Sequence, residues 1–439
     1  MQTAACRSSS IISAAAEAAA STSSAGRQIH ADRSDQPLPL PPLRPGAVIH
    51  GPGSEEIDAL IDRFAAELRR RGFRVGGVVQ RNYGPVDDCA DRMELVDVAT
   101  GQSFGISQNL GRESQSCRVD PMGVADASQS VRRAVQERVD LLVVNKFAGL
   151  ESHGEGLAQE MLDGMAEGVP VLTSIGSRYL NEWQQFTGGF CDLLSPTEQA
   201  LWDWWGPHRL YEDLRLGVED APVRRVVVGT HWVAVETERA LGLAARYGSD
   251  LADPARWMGK GLKALVDQAA ASWDPLEMSV GLAAINAHYN ADDVMGETGN
   301  GLDLFTGVEG RTVVVGGFPQ LARRLPNAQI IDMTPRPGEF PEPAGDWLLR
   351  GAEAVAVTAS ALGNRTLPRL LRAARGARVA MVGPGTPLTP RLFSYGIEAL
   401  AGFIPQDREA VVRVVGDGGG SRDFHPFGRM VTLRRPAQT

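Results

Sequence analysis

Apolar residues recur every three or four positions from Ile57 to Leu68, then bunch into short unbroken runs, and this change of period repeats along the chain. In "SEEIDALIDRFAAELRRRG", Ile57, Leu60, Ile61, Phe64 and Leu68 fall on one helical face and Gly72 closes the segment. The run "AVIH" before it and "FRVGGVVQ" after it read as strands, while "MELVDVATGQSFGIS" alternates on both sides of Thr100-Gly101 as a hairpin does. A helical stretch, "ADASQSVRRAVQERV", leads into "DLLVVNKF", whose apolar run suits a strand buried on both faces. "GLAQEMLDGMAEG" and "VPVLTSI" repeat helix then strand. Such alternation builds a parallel α/β layer.

The Trp-rich "LWDWWGPHRLYEDLRLG" interrupts the pattern and, with Pro222, marks a boundary; indoles there are expected to pack rather than to carry chemistry. "RRVVVGTHWVAVET" predicts one or two strands, followed by helical "KGLKALVDQAAASW" and "LEMSVGLAAINAHYN". The last stretch is rich in small residues that let a helix pack closely, so Asn286 in its middle must find a hydrogen-bond partner or face a ligand. Four apolar strands then appear in "RTVVVGG", "AQIIDM", "EAVAVTAS" and "ARVAMVGPG", separated by helical or shorter turn-like segments. This predicts a doubly wound parallel sheet. Each of these strands ends in groups that can meet a ligand: Gly316 and Gly317, Asp332, Thr358 and Ser360, then Gly383, Pro384, Gly385 and Thr386. In an open parallel sheet such ends share one edge, beside the crevice where small molecules bind.

With 439 residues the chain is expected to hold roughly two to four domains. A 43% hydrophobic and 22% charged composition is that of a globular protein. The net charge of −9 argues against nucleic acid or an anionic membrane as partner, and no apolar run is long enough to span a bilayer. Cys6, Cys89, Cys117 and Cys191 are scattered without a C-x-x-C, which fits a reduced cytoplasm better than a zinc or redox site. Residues 1–44, rich in Ala and Ser and closing in "QPLPLPPLRP", read as a disordered leader, with Glu17 breaking the only stretch that could imitate a secretory signal.

The opening loop "IHGPGSEE" has the glycines of a phosphate-binding loop but not its lysine and hydroxyl. Glu55 and Glu56 stand at the start of the following helix, where an anion would otherwise be favoured, so the loop reads as degenerate. Gly316-Gly317-Phe318-Pro319 departs from the dinucleotide fingerprint, although Asp332 follows at a spacing that suits a ribose hydroxyl or a strand-end cap. His30, His50, His153, His208, His231, His288 and His425 form no helical metal pair, and only His231, His288 or Asp332 could assemble a site in space. "VNKFAGLESHGEG" gathers Asn145, Lys146, Glu151, His153 and Glu155 after a buried strand: Lys146 could hold an anion and Glu151 could orient a water or magnesium ion, or all could be solvated loop charges. No G-x-S-x-G elbow occurs and Cys191 lacks a nucleophile signature.

On "MSVGLAAINAHYN", "VVVGGFPQL", "AVTASALGNRTLPRLL" and "VAMVGPGTPLTPRLFSYGIEALAG", residues Arg225 to Phe403 resemble the bacterial and archaeal heavy-metal chelation domain with its companion module. The resemblance implies a small enolase-N-like α+β module followed by a Rossmann-like doubly wound domain, with a metal or ligand in the cleft between them. It carries over Asn286, Gly316, Gly317, Pro319, Asp332, Ser360, Asn364, Thr366 and Gly383 to Pro387, including Gly385 and Thr386, as ligand-binding positions. Gly363 and Arg365 depart from the family pattern, and Arg365 is expected to set a bulky cation beside the pocket. Gly46 to Gly189 is similar, on "RRRGFRVGGVVQRN", "VDLLVVNKFAGLESHGEGL" and "VPVLTSI…LNEWQQFTGG", to an uncharacterised P-loop-derived family often linked to molybdenum genes.

The expected organisation is an α/β chain: leader 1–44, degenerate P-loop-like parallel α/β domain 45–200, Trp-rich linker 201–224, enolase-N-like module 225–306 and Rossmann-like domain 307–439. The expected role is a cytoplasmic accessory protein that binds a transition metal, oxyanion or metal-bearing ligand, molybdenum-related by resemblance, with room for a homo-oligomer. The alternative is a nucleotide- or cofactor-dependent enzyme, an NTPase or one of Rossmann type. A third option is a scaffold that has lost its chemistry and joins partners through the Trp-rich stretch.

Overall fold

The computed structural model describes residues 42–53, 55–83, 92–107, 119–248, 254–299, 301–318 and 320–437. Nearly all of the expected leader, and with it Cys6 and His30, lies outside these residues, as do Cys89, Cys117 and Pro319.

In the first sheet, β1 (Gly46–His50), β2 (Val75–Tyr83), β3 (Arg92–Asp97), β4 (Ser103–Gly105), β5 (Leu141–Val144), β6 (Val171–Gly176) and β7 (Asp192–Leu194) lie in the order β4-β3-β2-β5-β6-β1-β7. The five strands from β2 to β7 in that row run parallel. The β3–β4 hairpin closes one edge, pairing Leu95 with Phe104 around the predicted turn. All four residues of β5 are buried because helices cover both faces, which is why the run is apolar without alternation. Helix Glu55–Arg70 places Ile57, Leu60, Ile61, Phe64 and Leu68 inward as its periodicity predicts. Helix Pro121–Gln136 starts at Asp120, whose carboxylate accepts the Met122 N–H, with Pro121 at the first helical position.

The Trp-rich stretch is packing material. Its two helices, Glu198–Trp205 and Leu210–Leu216, are joined by a turn at Pro207–Arg209. Trp202 and Trp205 meet Phe64 and Phe73 edge-on at 5.2 and 5.3 Å, and Trp202 also meets Tyr395 at 5.7 Å. These indoles are buried, so they cannot recruit a partner, which removes the main support for a scaffold reading. Asp213 from the second helix is wholly buried and accepts from Arg71 (2.5 Å), Arg391 (2.6 Å) and the Tyr395 hydroxyl (2.9 Å). One carboxylate thus ties the first sheet to the last domain.

In the middle module "RRVVVGTHWVAVET" forms the two strands expected of it, β8 (Arg225–Val228) and β9 (Trp232–Glu236), and a further strand follows, β10 (Leu241–Ala245), all antiparallel in the order β10-β9-β8. Helix Pro275–Tyr289 lies on this sheet. Asp274 caps it by accepting from the N–H groups of Leu276 and Glu277, and apolar residues are spread all around it because protein surrounds it. At Gly242 a Cβ would stand 2.1 Å from the carbonyl oxygen of Ala283, so only glycine lets helix and strand come this close.

The last sheet comprises β11 (Thr312–Val315), β12 (Gln329–Asp332), β13 (Phe340–Pro341), β14 (Ala354–Thr358), β15 (Arg378–Val382), β16 (Ile397–Pro405) and β17 (Gly428–Arg434), ordered β13-β12-β11-β14-β15-β16-β17. All neighbours are parallel except β16 and β17. The chain passes from β11 to β12 on one side and returns to β14 on the other, so the winding reverses between β11 and β14. In an open parallel sheet such a reversal is the place where a crevice is expected, beside the carboxyl ends of these two strands. Among the described residues no helix is long and apolar enough to cross a membrane.

Candidate functional site

At the carboxyl end of β11, Gly316 takes φ +102° and donates its N–H to the Ile331 carbonyl at 2.8 Å. A Cβ there would come within 2.6 Å of Thr358 Cγ2 across the reversal point, so the loop can lie this low only with glycine. Gly317 follows, its Cβ position 3.3 Å from Asp332 Oδ2 at the end of β12. The other carboxylate oxygen, Oδ1, accepts the Thr334 N–H at 2.8 Å and holds the turn after the strand. From the β14 side, the Asn364 amide reaches Met333 Sδ at 3.4 Å, while its Oδ1 accepts both the N–H and the hydroxyl of Thr366 at 3.1 and 2.7 Å. Gly316, Gly317, Asp332, Asn364 and Thr366 therefore meet on one edge, with Thr358 beneath and the exposed Met333 beside them.

Asn286, Gly383, Gly385 and Thr386 form a second group behind the first. Asn286 is fully buried, and its amide donates to the carbonyls of Leu243 at 2.7 Å and Gly385 at 2.9 Å. It stitches the middle module to the loop after β15. Asn290, one turn further along the same helix, repeats the device by donating to the Thr386 carbonyl and accepting the Leu388 N–H, each at 2.9 Å. Sequence reasoning missed it, although the spacing "NAHYN" already places two amides on one helical face. The Asn286 Oδ1 and Thr386 Oγ1 atoms are buried and have no hydrogen-bond partner among the described residues. Gly383 donates to the Ala401 carbonyl, and both Gly383 and Gly385 lie against Ala359.

Ser360 links the groups: its carbonyl accepts the Tyr247 hydroxyl at 2.9 Å. Burial pushes the Tyr247 phenol above its ordinary value, the Ser360 bond opposes the rise, and the Asp332 carboxylate adds to it. Tyr247, also missed from sequence, thus belongs to the wall that the middle module turns toward the crevice.

Arg365 corrects an expectation. Its guanidinium turns away from the crevice and donates to the carbonyls of Ala269, Ala270 and Ser272 at the end of helix Leu262–Ala270. The negative end of the helix dipole draws it there. Its backbone holds φ +60°.

In the front domain, the loop after β1 is open around Gly51 and Gly53, and Glu55, Glu56 and Asp58 occupy the first turn of the next helix. Asp58 is buried and accepts the Asn145 amide at 2.8 Å, and Ser174 donates to Asn145 Oδ1 at 2.5 Å. Lys146 lies 3.9 Å from the same Asp58 carboxylate. Glu151 is buried and accepts the N–H groups of Ala148 and Leu157, a local structural task rather than the orientation of a water. Burial holds its carboxyl above the usual range. His153 is exposed and folds back onto the Gly149 carbonyl.

Among the described residues no cluster of three or more His, Cys, Asp or Glu could hold a metal ion. His231 and His288 do not join Asp332 in such a set.

Residues 301–434 match the family model described as "Putative heavy-metal chelation" (DUF364), and residues 211–289 match a second model of the same description (DUF4213). Through this half the chain belongs to the heavy-metal chelation family. Residues 46–204 match the family described as a protein of unknown function, DUF2478, so the chain is a fusion of the two. Two solved DUF364 proteins of unknown function are similar to this half. The one from Desulfitobacterium hafniense is 30% identical and matches 52% of this chain and 97% of its own, with a TM-score of 0.47. The one from Pyrococcus horikoshii is 22% identical over 52% and 98%, with a TM-score of 0.44. Over 166 residues the chain is also 38% identical to the molybdenum import ATP-binding protein ModC 2 of Bradyrhizobium diazoefficiens, a match that takes 38% of this chain and 18% of that protein. The chain therefore spans under a fifth of that relative.

Proposed function

We propose that this chain is an accessory protein that captures an oxyanion or a metal-bearing ligand in the crevice beside β11 and β14, between its two C-terminal modules. The observation that carries this is the meeting of Gly316, Gly317, Asp332, Asn364 and Thr366 on one edge at the reversal point, with Gly316 held where any side chain would collide with Thr358. A bare transition ion held by protein side chains alone fits poorly. The donors gathered here are backbone N–H groups, hydroxyls, amides, one carboxylate and the Met333 thioether, without the imidazoles or thiolates such ions prefer. The Gly316 N–H is held by the Ile331 carbonyl and the Thr366 N–H and hydroxyl by Asn364, so an oxygen-rich ligand would be met by the Gly317 N–H and the Asn364 amide, and Asp332 can face a cationic part of the guest. The buried Asn286 acts at one remove: it fixes the Gly385 loop and so the crevice wall.

The family description and the molybdenum-import relative supply the metal side of this reading. Equilibrium dialysis of the full chain against molybdate, nickel(II) and iron(II), followed by elemental analysis, tests it. Retention near one equivalent by the wild-type protein, falling roughly tenfold in Asn364→Ala, is expected for a lost charge-assisted contact. Equal, negligible uptake of all three by both proteins rejects the reading.

A further inference from the structure

A cleft of ≈ 690 Å³ opens at the opposite edge of the first sheet from the Gly51–Gly53 loop. Its front wall is the chain entering β2 and β5 at Arg74 and Asp140, and its back wall includes His208, Arg209, Trp273 and Arg365. It is therefore distinct from both the degenerate phosphate loop and the crevice beside β11.

The charges around this cleft do not balance. Arg74 pairs with Asp140 at 3.0 Å, and Arg215 pairs with Glu212 and, at 2.7 Å, with Asp267. Those carboxylates are thereby engaged. Arg365 spends its guanidinium on helix-end carbonyls and carries no carboxylate partner among the described residues. Arg209 is the sharper case. It is only 7% exposed, its guanidinium lies 4.3 Å over the Trp205 ring, and among the described residues it makes no side-chain hydrogen bond or ion pair. Burial lowers it to about 10, with Tyr395, Asp140 and Glu212 opposing the fall from a distance, so it stays charged at neutral pH. Beside it, His208 carries a buried Nε2 with no hydrogen-bond partner among the described residues, and burial followed by Arg372 and Arg209 keeps this ring neutral. On the rim, the Trp273 indole is 65% exposed with the Arg365 guanidinium 5.0 Å from its centroid.

A buried cation without an anion is costly, and native structures keep one chiefly where an anion arrives. A lone phosphate would leave most of this volume empty, whereas the volume falls within the range of sites for ligands of drug or cofactor size. We propose that this cleft binds a phosphorylated, ring-bearing small molecule of the nucleotide class. The phosphate is received by Arg209 and His208, and the ring stacks on the exposed Trp273. Arginine suits the task because its planar fork binds phosphate oxygens in pairs, and an exposed indole accepts any flat base.

Isothermal titration of the full chain with ADP, inorganic phosphate and adenosine in separate runs tests this. ADP is expected to bind at least roughly tenfold more tightly than either fragment, since it alone engages both parts of the cleft. Arg209→Met should lose ADP binding by roughly tenfold or more while its ligand-free thermal midpoint stays level or rises, because an unpaired buried charge has been replaced by an apolar chain of similar length. Arg209→Lys should retain part of the binding. Trp273→Ala, at an exposed position that does not threaten folding, should weaken ADP and leave phosphate unchanged. The proposal is overturned by no ADP uptake in the wild-type protein, by ADP affinity that survives either Arg209→Met or Trp273→Ala, or by a lowered midpoint in Arg209→Met, which would make the cation a packing element.

Discussion

Asp332 is the residue whose chemistry separates the two ligand classes left by the crevice. One carboxylate oxygen is occupied by the Thr334 N–H, a bond that asparagine can also accept, so Asp332→Asn changes charge while keeping the turn. For a bare oxyanion, removing a negative charge from the rim strengthens binding. For a ligand that presents a cation, it weakens binding, with a shift of roughly three- to tenfold for an exposed group. Dialysis of the variant against molybdate and against nickel(II) reads the sign directly. Gly316 gives the matching structural test. With φ +102° and a Cβ position 2.6 Å from Thr358 Cγ2, Gly316→Ala should cost about 2 kcal/mol or more in chemical denaturation, through backbone strain and a clash together. A cost below about 0.5 kcal/mol would show that the loop can move, and the crevice would then not be preformed.

At the scale of elements, two helical segments carry neutral histidines, and this sets a pH dependence. His208, in the turn between the Trp-rich helices, and His288, near the end of helix Pro275–Tyr289, are both lowered from an ordinary 6.5, first by burial. Arg372 and Arg209 push His208 further down. Around His288 the charges act both ways, Glu219 raising it and Arg239 and Arg391 lowering it. A depressed group binds fewer protons folded than unfolded, so its stabilisation is complete above 6.5 and drains as pH falls through the lower folded value. The thermal midpoint of the ligand-free protein should therefore fall between pH 7 and pH 5, and His288→Gln should flatten part of that slope. An identical slope in the variant would refute the assignment. Two depressed carboxylates, Glu67 held down by Arg70 and Arg71 and Asp97 held down by Ser130, then the Thr100 and Ala99 N–H groups and Arg133, lose their contribution only in a more acidic window, below their ordinary values.

The helices that matter here were legible in the sequence from their apolar periodicity, although the one ending at Gln136 begins at Pro121 rather than Ala125, at an Asp-Pro start signal that the periodicity alone does not show. The strands β11, β12, β14 and β15 were legible too, as apolar runs ending in glycine, acid or hydroxyl. β10 was not: "LGLAA" carries no strand pattern, and Gly242 makes sense only against a helix some 40 residues later. Asn286 could be read as a buried amide needing partners, but its partners, Leu243 and Gly385, come from opposite directions along the chain. The turn of Arg365 away from the crevice depends on carbonyls more than 90 residues away, which no local pattern encodes.

For the whole molecule, the two matched halves share one continuous core running from Val48 in the first sheet to Val431 in the last. Within it, the Asp213 carboxylate is the electrostatic joint. It is unexposed and receives Arg71 from the first helix together with Arg391 and Tyr395 from the final domain, while Arg71 also donates to Ser394. Taking the carboxylate's charge away leaves Arg391 without its carboxylate and Arg71 with only Glu67, at 2.7 Å, and breaking a buried pair in this way costs about 3–5 kcal/mol. Asp213→Asn should accordingly lower stability by that amount, far more than an exposed pair such as Arg138–Glu167, where the loss is expected to be under about 1 kcal/mol. The joint also predicts how the chain unfolds. In the wild-type protein the halves should melt together, so tryptophan fluorescence, to which Trp202, Trp204 and Trp205 at the junction contribute three of the chain's eight indoles, and far-ultraviolet circular dichroism should follow one urea transition. In Asp213→Asn the fluorescence transition should move to lower urea than the dichroism as the halves part before either loses its sheet. Coincident curves in the variant would assign the coupling to the shared apolar core rather than to the charge at its centre.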